Sequence, residues 1–232
     1  MTENVSGASI RPVDLRIRVS RDNEVSALLL MPARPRALYV LGHGAGAGMR
    51  HPFMEAMAQR LAARGVATLR YQFPYMEAGG HRTDPEPVSL ATVRAAVAVG
   101  REAAGGLPLI AGGKSFGGRM TSRAAVGAPL EGVSGLAFLG FPLHPAGRPG
   151  VTRAAHLSEL ELPMLFLQGT RDTLADLTLL EPILAKLGNR ATLRVIEGAD
   201  HSFHVLKRSG RNDEQVLDQL AEAVAAWREG LA

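Results

Sequence analysis

The sequence predicts an α/β fold with a mainly parallel sheet flanked by helices. Two features predict it. Strand-length apolar runs alternate with amphipathic segments of helix length along the chain, which implies right-handed crossovers. Runs such as "ALYVLGHG" are continuously apolar, as strands covered on both faces are. The length of 232 residues suits one large α/β domain, expected to span residues 1–232.

The elements follow in order. "DLRIRVS" alternates apolar and polar residues like a half-buried strand, and "EVSALLLMP" follows the turn-like "RDN", predicting an antiparallel hairpin. "ALYVLGHG" is a buried strand ending at Gly44. "FMEAMAQRLAARG" is a helix with Met54, Met57, Ala58 and Leu61 on one stripe and Gly65 as its stop. "VATLRYQFP" is a strand. "PVSLATVRAAVAVGREAA" is a helix with Leu90, Val93, Val97 and Ala98 as its buried stripe. Strand "LPLIAGG", helix "FGGRMTSRAAVG" and strand "GVSGLAFLGFP" come next. Strand "LPMLFLQGTRD", helix "LTLLEPILAKLG" and strand "ATLRVIEGAD" continue the alternation. A closing helix buries Val216, Leu220, Val224 and Trp227, with Asp213 and Glu214 suiting its N-terminal dipole. The loosest segment is "HPAGRPGVTRAAHLSELE", too short for a domain.

Composition excludes several functions. There is no cysteine, so disulfides, thiolate metal sites and a cysteine nucleophile are ruled out. "MTENVSGASIRP" lacks a signal-peptide core, and no apolar run approaches the roughly 20 residues of a membrane span. A cytoplasmic protein without membrane attachment is expected. Net charge is +4, but the arginines are scattered singly, which argues against a nucleic-acid surface.

"LIAGGKSFGGRM" carries two overlapping signals. Gly113-Lys114-Ser115 ends like a phosphate-binding loop, yet the first glycine of that motif would fall at Pro108, which has no amide hydrogen to give. Gly113-x-Ser115-x-Gly117, between a buried strand and a helix, fits the sharp turn that presents a serine nucleophile. A serine needs a base, and the base needs an orienting acid. His201 in "EGADHSFH" is the expected base, with His204 as fallback. Asp172, at the exit of an apolar strand, is the expected acid; Asp176 reads as a helix cap and Asp200 as pointing elsewhere.

The tetrahedral intermediate needs two amide donors for its oxyanion. Phe116 supplies one and the loop "GHGAGAGM" the other, at Ala45. The same loop imitates a dinucleotide fingerprint, but no acid follows the next strand until Glu77, and the oxyanion reading explains loop and serine together.

Five blocks, "LGHGAGAGM", "RYQFPY", "GGKSFGGRM", "QGTRD" and "GADHSF", resemble the α/β-hydrolase superfamily, in its lidless dienelactone-hydrolase-like branch. They are similar to a small family of predicted hydrolases that includes a subunit of the non-specific-lethal chromatin complex. The resemblance runs from about Ala27 to Trp227. It implies an eight-stranded, mostly parallel sheet, a Ser115–Asp172–His201 triad, and Ala45 and Phe116 as oxyanion donors. No metal or organic cofactor is required.

A serine hydrolase of esterase or thioesterase type is therefore expected, against the alternative of a non-catalytic scaffold that binds a protein partner. Gly44, Tyr75 and Lys114 are expected at the substrate, with Lys114 steering an anionic group or solvated, and Arg119 paired to a carboxylate behind the turn. Only about 20 residues separate "GVSGLAFLGFP" from the next strand, too few for a cap domain. Its walls are expected from the "FPYMEAGGHRTDPEP" and "PLHPAGRPGVTRAAH" loops, giving a shallow mouth for small or short-chain substrates.

Overall fold

The computed structural model describes residues 10–231. Most of the leading stretch "MTENVSGASIRP" falls outside them. Eight strands form one sheet: β1 (Val13–Arg18), β2 (Glu24–Leu30), β3 (Ala37–Gly42), β4 (Val66–Tyr71), β5 (Leu109–Lys114), β6 (Val133–Leu139), β7 (Met164–Gly169) and β8 (Ala191–Ile196). Their order is β1-β2-β4-β3-β5-β6-β7-β8. β1 pairs antiparallel with β2, as the hairpin signal predicted, and β2 pairs antiparallel with β4; every other pairing is parallel.

Among the described residues, six α-helices connect or cover the strands: α1 (Pro52–Ala63), α2 (Pro74–Glu77), α3 (Glu86–Ala104), α4 (Phe116–Ala125), α5 (Leu177–Leu187) and α6 (Asp213–Trp227). Successive side chains of a strand face opposite sides, so the sheet divides the core in two. Tyr39 and Leu41 of β3 pack with α1 and α6. Leu38 and Val40 pack with α3, α4 and α5 on the other face. β3, β4 and β7 are buried throughout, which explains their unbroken apolar runs; β8, at the sheet edge, is partly exposed.

Local signals explain the helix ends. Gly65 follows α1 at φ +75°, and Asp176 caps α5 by accepting from the Thr178 amide. Asn212 and Gln215 form a reciprocal capping box at α6. Two expectations need correction. Ala98 is exposed and Leu90 only partly buried; α3 lies on the sheet through Val93, Ala96, Val97 and Gly100. Gly100 permits this, because a Cβ there would sit 2.4 Å from Val40. The loop after β4, expected to be irregular, contains the short α2.

The parallel neighbours β3 and β5 send their following helices to opposite faces, α1 to one and α4 to the other. Their C-terminal ends therefore open a crevice at the topological switch point, where ligands bind on such sheets. The glycine loop and the Ser115 turn both lie there.

Candidate active site

Ser115 links β5 to α4 at φ 49° and ψ −108°, a conformation non-glycine residues rarely adopt. Holding it costs about 1–3 kcal/mol, and close packing around the turn enforces it. A Cβ on Gly113 would lie 2.2 Å from the Gly42 carbonyl oxygen, and one on Gly117 would lie 2.4 Å from it. The glycines therefore let β3 approach the turn. Lys114 is the last residue of a strand, so no phosphate-wrapping loop exists here.

Three of the expected residues come together. Ser115 Oγ lies 2.9 Å from His201 Nε2, and His201 Nδ1 lies 2.7 Å from Asp172 Oδ2. This fixes the tautomer: Nδ1–H donates to the carboxylate, leaving Nε2 to accept the serine proton. Asp172 is 5% exposed. Its Oδ1 accepts from the Leu174 amide, and its Oδ2 also accepts from Gln168 Nε2. The buried Gln168 in turn accepts from the Phe141 amide through its Oε1. Asp200 accepts from the Ser202 and His204 amides, away from His201's ring. His204, the fallback base, is exposed and joined to Asp213 at 2.8 Å, which raises its pKa.

The glycine loop presents its amides selectively. Gly46 N–H donates to Tyr75 Oη and Ala47 N–H to the Gly44 carbonyl. Among the described residues, the amides of Ala45 and Phe116 have no internal acceptor, which leaves them available to a ligand. The Phe116 amide also opens α4, where the helix dipole favours negative charge.

A cleft of about 410 Å³ adjoins Ser115, with Gly44, Ala45, Phe53, Met54, Leu174 and His201 among its walls. A larger depression of about 630 Å³ lies at the other end of the sheet, beside the start of β3 and the end of α1, and holds no nucleophile–base pair.

A family model for the alpha/beta hydrolase domain matches residues 35–229. The chain belongs to this family. Solved structures share its fold. A lidless α/β serine hydrolase from Xanthomonas campestris is 21% identical, with 94% of this chain and 95% of that one covered and a TM-score of 0.72. A dienelactone hydrolase from Anabaena variabilis is 19% identical, covering 97% and 99%, with a TM-score of 0.73. The esterase domain of a Rhodothermus marinus protein is 16% identical, covering 94% and 98%, with a TM-score of 0.70. As in the lidless hydrolase, no large cap covers the mouth. Between β6 and β7 the described chain forms only the 3-10 segment Thr152–Glu159.

Several expected roles within this hydrolase fold change. Tyr75 does not line the cleft beside Ser115; it is buried in α2 and its hydroxyl holds Gly46. Lys114 lines the cleft, but its ammonium donates to the His201 carbonyl rather than reaching outward. Arg119 forms no ion pair among the described residues and instead lies over the Phe116 ring, 5.8 Å from its centroid. The loops after β4 and β6 do not wall the cleft; the N-terminus of α1 and the Leu174 turn do. Glu77, the first acid after β4, is held by Arg16 and Ser26.

Sequence reading missed two supports. Gln168 is one. His43 is the other: fully buried, with Nδ1 2.8 Å from the Gly44 carbonyl and Nε2 accepting from the Phe73 amide at 3.1 Å. Burial holds its pKa down to about 4, so it stays neutral, with Nδ1–H donating to the loop. The available signal was a polar residue directly after the apolar run of β3.

Proposed function

We propose that the chain is a single-domain serine hydrolase acting on small or short-chain carboxylic esters or thioesters. The observation that carries this reading is the continuous Ser115–His201–Asp172 hydrogen-bonded chain, with the serine on a strained turn at the mouth of a cleft. Ser115 Oγ attacks the carbonyl carbon while His201 Nε2 takes its proton. Asp172 stabilises the resulting imidazolium and holds its orientation. The Ala45 and Phe116 amides donate to the oxyanion. His201 then protonates the leaving alcohol or thiol. Water, deprotonated by the same nitrogen, releases the acyl group and restores Ser115.

The printed descriptions of the structural neighbours, a lidless serine hydrolase, a dienelactone hydrolase and an esterase domain, accord with this class. The short-chain preference is supported by the modest cleft and by the short segment joining β6 to β7, which has no room for a lipid-covering cap. The test is a panel of acetate, butyrate and laurate esters and thioesters, run on the wild type and Ser115→Ala. Serine-dependent turnover with kcat/KM falling from butyrate to laurate is expected. Turnover that survives Ser115→Ala contradicts the mechanism, and faster laurate hydrolysis contradicts the substrate class. No turnover of any acyl substrate favours the scaffold reading, in which the site binds a protein partner.

A further inference from the structure

Lys114 has a cationic side chain beside a nucleophile that must itself lose a proton, and the mechanism above does not use it. We propose that Lys114 is a positioning residue whose ammonium ties the His201 loop to the nucleophile strand and thereby sets the reach of His201 to Ser115. This rests on the reading of Ser115 and His201 as nucleophile and base.

Three observations carry it. Lys114 Nζ donates to the His201 backbone carbonyl at 2.6 Å. Apart from the Ser115–His201 bond, this is the one hydrogen bond among the described residues that joins residues 197–206 to β5 or α4. The ammonium also sits 5.3 Å from the centroid of Phe203 and 6.0 Å from that of Phe53, rings that stack 5.9 Å apart. Phe203 belongs to the His201 loop, where it holds φ +65°, and Phe53 opens α1, so one cation gathers three segments. Finally, Gly140 directly follows the neighbouring strand β6. A Cβ there would lie 3.2 Å from Lys114 Nζ and 3.5 Å from His201 Nδ1, so a glycine leaves room for lysine and imidazole side by side.

The tie is pH-dependent. Burial lowers the Lys114 pKa to about 8, against the opposing pull of Asp172 and Asp200. The carboxylates facing it are Asp172 after β7 and Asp200 on the β8 loop; the His201 ring on that loop and His51 at the start of α1 are the titratable groups beside it on the cleft. Below pH 8 the ammonium donates strongly and attracts both rings. As pH rises through 8 the amine becomes neutral, the ring attraction is lost and the bond to the carbonyl weakens.

The test compares wild type, Lys114→Met and Lys114→Arg, reading kcat and KM for a butyrate ester and the rate of fluorophosphonate labelling from pH 6 to pH 10. The expected result for Lys114→Met is a fall of about tenfold to a hundredfold in kcat and labelling rate with KM unchanged, the size of loss a misplaced base brings. The wild type loses activity as pH rises through 8, Lys114→Met lacks that step, and Lys114→Arg moves it to higher pH. A Lys114→Met profile that matches wild type in rate and shape overturns the proposal. If Lys114→Met does not fold, Lys114→Arg decides: an unmoved alkaline step overturns it. Wild-type protein that takes up no probe overturns the underlying serine-hydrolase reading, whereas a labelled wild type with an indifferent Lys114 overturns only the role of the lysine.

Discussion

The molecule contains two serine–histidine contacts of nearly equal length, set in different surroundings. Ser115 and His201 are 2.9 Å apart; Ser122 and His156 are 2.8 Å apart. Distance alone does not separate them. At the second pair, Ser122 Oγ donates its single proton to the Arg119 carbonyl, so it accepts from His156 Nε2–H. That is the reverse of activation by a base. Among the described residues no carboxylate is bonded to His156, and burial together with Arg123 and Arg119 lowers its pKa to about 4. Both residues are buried behind the turn and neither lines the cleft. A reactive pair needs proton direction, an orienting acid and access. Only Ser115–His201 has all three.

The largest expected effect breaks the first pair. Ser115→Ala lowers kcat/KM for a butyrate ester by about 10⁴-fold or more, as loss of a triad nucleophile does elsewhere. Ser122→Ala changes it less than about twofold, but leaves His156 Nε2–H buried without a partner and costs roughly 1–3 kcal/mol of stability by urea unfolding. Equal kinetic losses in the two variants would erase the distinction. Next, Asp172→Asn lowers kcat by about 10⁴-fold, because the amide no longer favours the working tautomer. Steady-state kinetics with unchanged folding by circular dichroism checks it.

A smaller effect comes from the loop that feeds the oxyanion site. Tyr75→Phe removes the acceptor for the Gly46 amide and lowers kcat by about threefold to tenfold with KM little changed, consistent with one hydrogen bond of about 1 kcal/mol. A rise in KM alone would restore a substrate-binding role to Tyr75. The remaining effect is on stability rather than rate, and it depends on pH. His43 and His156 are both held near 4, whereas an unfolded histidine titrates near 6.5. On acidification the unfolded chain takes up protons first. Stability is therefore full above pH 6.5 and is lost progressively down to about pH 4. His156→Gln flattens the fall in Tm across that window, and a slope unchanged from wild type would remove His156 as a cause.

What could be read from the sequence follows from which physics is local. Ser115, Asp172 and His201 were expected from chain order because each follows a strand end, which fixes where the chain emerges, and their side chains lie within hydrogen-bonding distance in series. The hairpin, the parallel core and the Asp176 cap were legible for the same reason. Side-chain direction was not. Lys114 was expected at the substrate because it adjoins Ser115, and Tyr75 because it lies in the loop after β4, yet one side chain turns to the His201 carbonyl and the other to the Gly46 amide. His43 and Gln168 each join a neighbour in sequence to a distant backbone amide, of Phe73 and of Phe141, that only folding brings close. The α3 stripe slipped because helical periodicity ranks side chains by hydrophobicity, while contact with Val40 selected Gly100, which has none. The cleft walls were misplaced because loops next to a site in sequence need not face it.

Mapping fluorophosphonate modification by peptide mass spectrometry on folded wild-type protein, Ser115→Ala and Ser122→Ala separates the two pairs most directly. One adduct on Ser115 is expected in the wild type, the same adduct at an undiminished rate in Ser122→Ala, and none in Ser115→Ala. An unmodified wild type, or an adduct on Ser122, would contradict Ser115 as the nucleophile.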